Sequence, residues 1–165
     1  MSKLILLDAY ALIYRAYYAM LRSPRINSKR VNTSAIFGFV NTLEEVLKKE
    51  NPDYIGVAFD PKGGTFRHEI YPQYKAQREK TPEDLHAQVP WIEDVLQKLG
   101  VCVLRKDGFE ADDIIATIAA KCYKEGRGCR ILSGDKDLLQ LVNDTCFEMQ
   151  PDKANGGWET LRAQD

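Results

Sequence analysis

The sequence predicts a three-layer α/β/α sandwich with a mainly parallel central sheet. Short apolar runs alternate with segments of helical periodicity along most of the chain, the pattern of strand–helix–strand units. Several of those runs stop on an acid, as strands do when their carboxyl ends share one functional edge. The chain has 165 residues, 44% apolar and 28% charged, enough for one domain with a substantial core.

Taken in order, Leu4-Ile5-Leu6-Leu7 predicts a first strand over 3–8 that closes on Asp8, and a helix follows over 9–21. Asn32-Thr33-Ser34 is a capping signature for a helix over 34–50, where Ile36, Phe39, Val40, Leu43, Val46 and Leu47 recur at helical spacing. Asn51-Pro52-Asp53 breaks it, and Tyr54–Phe59 predicts a second strand that closes on Asp60. Residues 61–82 carry Pro, Gly and many charges with scattered apolar residues, and are expected to form an irregular, mobile segment. Pro82-Glu83-Asp84 opens a third helix, with Leu85, Val89, Ile92, Val95, Leu96 and Leu99 on one face and Gly100 at its end. Strands at 101–104, 129–133 and 145–150 alternate with helices at 110–124 and 136–142. A turn is expected at Asn155-Gly156-Gly157. The tail from Trp158 to Asp165 reads as the start of another helix, so the chain is expected to be the beginning of something longer.

Seven carboxylates fall where a strand ends or a helix begins: Asp8, Asp60, Glu110, Asp112, Asp113, Asp135 and Asp137. Each alone also reads as a helix cap, or as an acid placed against the macrodipole. In a parallel sheet, however, they converge on one edge, and so many anions together require counter-charge. A pair of divalent cations supplies it, and this predicts a two-metal phosphodiester-cleaving centre. Oxygen-only ligands favour Mg²⁺ or Mn²⁺ over zinc. His68 and His86 read as surface residues, and Gly-rich phosphate loops are absent, which argues against nucleotide hydrolysis. An aspartyl-phosphate mechanism at Asp8 is disfavoured because Tyr10 stands where a second acid belongs.

No apolar run approaches the length of a membrane span, and the stretch before Asp8 is too short for a signal peptide, so a cytoplasmic protein without membrane contact is expected. Cys102, Cys122, Cys129 and Cys146 form no C-x-x-C pair and read as buried reduced thiols. Net charge is −1, but residues 1–80 carry 13 Lys/Arg against 8 Asp/Glu, while residues 81–165 carry 10 against 16. Arg15, Arg22, Arg25, Lys29 and Arg30 lie in one stretch without an acid. Such a stretch beside an acidic centre suits phosphate binding, and equally suits a solvated loop.

Beyond these readings, Leu12-Ile13-Tyr14-Arg15-Ala16, Phe66-Arg67-His68-Glu69, Tyr74-Lys75-Ala76-Gln77-Arg78, Glu110-Ala111-Asp112-Asp113 and Ser133-Gly134-Asp135-Lys136-Asp137 together resemble the 5′-nuclease (flap endonuclease-like) family. The resemblance runs through the whole chain. It implies a PIN-like fold and a 5′→3′ exonuclease or flap endonuclease dependent on Mg²⁺ (or Mn²⁺), with two ions in the complete domain. The implied partners are DNA with 5′ flaps, nicks or RNA primers. The enzyme is expected to be a monomer, and its parent protein to carry a polymerase. The resemblance assigns Asp8, Asp60, Glu110, Asp112, Asp113 and Asp135 to a first metal cluster, with Asp135 and Asp137 serving a second. It places Lys75 and Arg78 at the base of an arch formed by residues 61–82, Tyr74 beside them, and Arg15 near the scissile phosphate. Arg67 joins Arg15, Tyr74, Lys75 and Arg78 as DNA-binding. Residues 1–165 then represent the N-terminal part of such a domain, without its helix–hairpin–helix region, and weak or absent cleavage by this chain alone is the expectation. A catalytically incompetent nucleic-acid-binding fragment and a PIN-type ribonuclease are the alternatives.

Overall fold

The computed structural model describes residues 2–152 and 157–165. Six strands, β1 (Lys3–Asp8), β2 (Tyr54–Ala58), β3 (Cys102–Leu104), β4 (Gly128–Leu132), β5 (Cys146–Pro151) and β6 (Trp158–Leu161), form one sheet in the order β3-β2-β1-β4-β5-β6. All pairs are parallel except β5–β6. The connections run outward from β1 through β2 to β3, then cross back to β4 beside β1. The order reverses there, and the crevice at the strands' carboxyl ends opens at that point.

The helices are α1 (Ala9–Ala19), α2 (Ser34–Glu50), α3 (Phe66–Ile70), α4 (Glu83–His86), α5 (Val89–Lys98) and α6 (Ala111–Lys124), with a 3-10 helix at Lys136–Leu141. Strand alternation sends Ile5, Leu7 and Val57 into one core with Leu12, Ile13, Phe39, Leu43, Ile92 and Leu96 of α1, α2 and α5. Leu6, Ala58, Cys129 and Ile131 point the other way, against Ile115, Ala119 and Cys122 of α6 and Leu138 of the 3-10 helix. The predicted three-layer sandwich with a mainly parallel sheet is what forms.

Several elements differ from expectation. The predicted single helix after Pro82 is two, because Pro90 lacks an N–H and its ring conflicts with the carbonyl four residues back, at His86. Gln88, buried at the break, turns this to use: its Oε1 accepts from the backbone N–H groups of Ala35 (2.9 Å) and Ile36 (3.2 Å), and its Nε2 donates to the Asp84 carbonyl (3.0 Å). The first turn of α2 is thus capped by a side chain from the turn between α4 and α5, while Asn32 Oδ1 accepts from Ser34 N–H (2.9 Å). The tail is not helical: β6 pairs antiparallel with β5 and covers an edge that would otherwise present unpaired backbone groups. Within 61–82, the irregular expectation missed α3. Cys102 is exposed rather than buried; Cys122, Cys129 and Cys146 are buried. Of the turn predicted at Asn155-Gly156-Gly157, Asn155 and Gly156 lie outside the described residues, and Gly157 has a positive φ of 76°. No helix among the described residues is long and apolar enough to cross a membrane.

Candidate active site

Asp8 ends β1, and its position there is fixed twice. Oδ1 accepts from Ala11 N–H (3.4 Å), capping α1, and Oδ2 accepts from the buried Ser133 hydroxyl (3.1 Å) at the end of β4. Ser133 Oγ also accepts from Asp135 N–H (3.1 Å), and Asp135 Oδ1 caps the 3-10 helix by accepting from Asp137 N–H (3.0 Å). Asp60, two residues past β2, accepts from Ala111 N–H through Oδ1 (2.8 Å) and so caps α6. Capping and site-building are therefore the same act here: each cap pins a carboxylate at the carboxyl edge of the sheet.

These acids line one cavity of about 660 Å³, together with Glu110 and Asp112 from the start of α6. Lys75, Arg78 and Lys80 face it from the connection before α4, and Tyr10, Tyr14 and Tyr18 line it from α1. Burial, with the charges of Asp60 and Asp135 adding to it, lifts the Asp8 carboxyl to about 6. Burial likewise lifts Asp112 to about 7, reinforced by Asp8, Asp135, Asp60 and Glu110. Among the described residues, no three acid, histidine or cysteine side chains close into a metal cage as they stand. Even so, an all-oxygen donor set whose members push one another toward neutrality is matched to a hard divalent cation, which relieves that repulsion.

Glu110 is held by three side chains. Lys75 Nζ donates to Oε1 (2.5 Å), while Tyr74 Oη (3.3 Å) and Arg67 Nη1 (3.2 Å) donate to Oε2. Lys75 makes this contact from a left-handed backbone conformation, φ 58°, which non-glycine residues seldom adopt. Burial draws the Lys75 ammonium down, but Glu110 outweighs it and the net shift is upward. Asp113, expected with the metal cluster, is instead gripped through both oxygens by Arg67 at 2.7 Å, and that guanidinium holds its carboxyl below the ordinary value.

The remaining predicted residues are dispersed. Asp137 is exposed and outside the cavity lining. Arg15 is also exposed and outside the cavity lining, its guanidinium lying 4.6 Å above the Trp158 ring centroid. Among the histidines, His86 lines the cavity, whereas His68 Nδ1 accepts from Thr65 N–H (3.0 Å) at the head of α3. Sequence reasoning did not assign roles to Tyr10, Tyr18, Lys80 or Ser133. For Ser133 the signal was its place between the β4 run and Asp135.

The parallel sheet, with its acid-lined crevice where the strand order reverses, places this chain in the PIN-like class of 5′-nuclease folds. The chain belongs to the family of 5′-3′ exonuclease N-terminal resolvase-like domains, whose family model matches residues 3–163. It is 52% identical over 142 residues to a DNA polymerase I of Treponema pallidum (strain Nichols), covering 86% of this chain and 14% of that protein. It is 41% identical over 151 residues to a 5′-3′ exonuclease of Aquifex aeolicus (strain VF5), covering 92% of this chain and 52% of that protein. The chain thus spans about half of one relative and a small part of the other. A structure of the T5 5′-exonuclease with divalent zinc ions bound superposes with a TM-score of 0.67 at 20% identity, covering 97% of this chain and 58% of that one, a likeness of fold.

Proposed function

We propose that this chain carries the core of a divalent-metal-dependent 5′→3′ exonuclease and 5′-flap endonuclease that hydrolyses phosphodiester bonds of DNA, and of RNA primers, in replication and repair. The observation that carries the proposal is the convergence of Asp8, Asp60, Glu110, Asp112 and Asp135 on one cavity that Lys75 and Arg78 also line. A nucleic-acid strand entering the cavity meets both cations for its phosphates and carboxylates. Asp8, Asp60, Asp112 and Asp135 would hold Mg²⁺ or Mn²⁺, with Glu110 available once Lys75 is drawn to phosphate. When bound, such ions polarise the scissile phosphate and activate water. Lys75 and Arg78 offset charge that grows on the phosphate oxygens, and the rings of Tyr14 and Tyr18 offer stacking surfaces for unpaired bases. A monomeric, cytoplasmic enzyme joined to a polymerase, as in the T. pallidum relative, is the setting that fits these residues.

The test is cleavage of an end-labelled 5′-flap duplex with Mg²⁺, with Mn²⁺ and with chelator. The expected result is weak metal-dependent cutting near the junction, in keeping with a chain that spans only part of its relatives. Asp112→Asn should lower the rate by about a hundredfold or more, the scale of removing a group that stabilises transition-state charge. Cleavage that survives chelator or Asp112→Asn would sink the proposal. Flap binding without cutting under any metal would favour a nucleic-acid-binding role.

A further inference from the structure

Asp113 is one residue from an acid that lines the cavity, yet its environment is different. On a helix, neighbouring side chains diverge by about 100°. Asp112 faces the acid cavity, while Asp113 lines an adjacent, largely apolar hollow with Phe109 and Thr117. Asp113 Oδ1 accepts from Arg67 Nη2 and Oδ2 from Arg67 Nη1, each at 2.7 Å, and Oδ2 also accepts from Glu110 N–H (2.9 Å). This paired fork-to-carboxylate geometry is the strongest form of side-chain ion pair, and it leaves the carboxylate little capacity for another ligand.

Arg67 stands in the first turn of α3, and a relay of backbone turns carries its position forward. Tyr71 N–H donates to the Arg67 carbonyl (2.8 Å), Tyr74 N–H to the Tyr71 carbonyl (2.9 Å), and Arg78 N–H to the Lys75 carbonyl (3.1 Å). At the end of that relay Lys75 reaches Glu110 from its left-handed conformation. We infer that Asp113 is a positioning residue rather than a metal ligand: with Arg67 it tethers residues 66–78 to α6 and so sets Lys75 over the acid cavity. The inference rests on reading that cavity as the divalent-metal site.

Two measurements on the full chain test it. The first is Mn²⁺ affinity, followed by electron paramagnetic resonance. Asp113→Asn is expected to stay within about twofold of the parent chain, the scatter of independent sites. Asp112→Asn is expected to lose at least about tenfold. The second is hydrogen exchange of the amides of residues 67–78 without metal. Asp113→Asn and Arg67→Gln should each speed exchange there, and the double variant should be no faster than either single one, since both remove the same tether. Arg67→Gln leaves the Asp113 carboxylate on Glu110 N–H, so a loss of folding in Asp113→Asn would not stand in for the tether. An Mn²⁺ loss in Asp113→Asn equal to that of Asp112→Asn would overturn the inference. So would exchange unchanged by Arg67→Gln. If the parent chain binds no Mn²⁺, the metal-site reading fails, and the inference with it.

Discussion

Asp8 and Asp112 concentrate the electrostatic tension of this chain. An unfolded aspartate releases its proton near its ordinary value of 3.8, whereas these two hold theirs to about 6 and about 7. From about pH 4 to 7 the unfolded state therefore loses protons that the folded state keeps. Metal-free stability must fall as pH rises through that window, with the loss complete above about 7. Glu148, fully buried on β5 and shifted upward by burial, adds to the same trend. The check is the urea midpoint in chelator at pH 5, 6, 7 and 8; a midpoint that climbs from 5 to 8 would refute it. The acids were legible as a group because strand ends betray themselves in sequence. Their individual roles were not, because the 100° between Asp112 and Asp113 matters only once something lies on each side of α6. Nor did anything in the sequence connect Arg67 to Asp113, 46 positions away. The contact of Arg15 with Trp158 was hidden for a related reason: Trp158 sits on a strand read as helix.

At the scale of elements, two contacts decide how α2 is seated. A Cβ added at Gly38 would lie 2.5 Å from Ala16 Cβ, so α1 and α2 approach each other at a point only glycine allows. Gly38→Ala is expected to destabilise the chain by about 1–3 kcal/mol through overpacking. Gln88→Leu leaves the Ala35 and Ile36 N–H groups without an acceptor, for a cost of about 1–3 kcal/mol. Denaturant unfolding measures both, and a change below about 0.5 kcal/mol in either, the range of ordinary surface substitutions, would show that the corresponding contact does not seat α2. Strands β1 and β2 and helices α2 and α6 were readable because their periodicity is regular. The break at Gln88 was harder, since the apolar spacing from Leu85 to Leu96 continues across it, and only Pro90 hinted otherwise. The tail was misread because Trp158-Glu159-Thr160-Leu161 has no decisive local preference; pairing with β5 settles it.

For the whole molecule, a divalent ion in the acid cavity, as proposed, would make folding and metal binding interdependent. A divalent ion that binds the folded chain alone raises its melting temperature by mass action. Mn²⁺ should do so strongly at pH 8 and weakly at pH 5, where Asp8 and Asp112 are protonated. Thermal melts at both values, with and without Mn²⁺, check this, and an equal increment at the two would mean that the ion binds elsewhere. The doubly wound order puts β1 at the centre of the sheet and the cavity at its carboxyl end, so the least tolerant electrostatics rest on the most deeply packed strand.

The connection between β2 and α4 has one more property, and it concerns chain length. Arg67 and Lys75 fasten its early part to α6, while Tyr14 bonds Thr81, and Tyr17 donates to Asp84 (2.8 Å), fastening its end to α1. Between these side-chain fastenings lies a span of five residues, 76–80, held by local backbone bonds such as Arg78 N–H to the Lys75 carbonyl (3.1 Å). Closure entropy grows only with the logarithm of loop length, about 0.6 kcal/mol for each doubling. Extra residues inserted within 76–80 therefore leave both fastenings in place at small entropic expense, whereas one residue added between Arg67 and Lys75 shifts the register of the relay itself. For this chain the connection therefore has a window for added length, and its borders are side-chain contacts rather than the ends of helices.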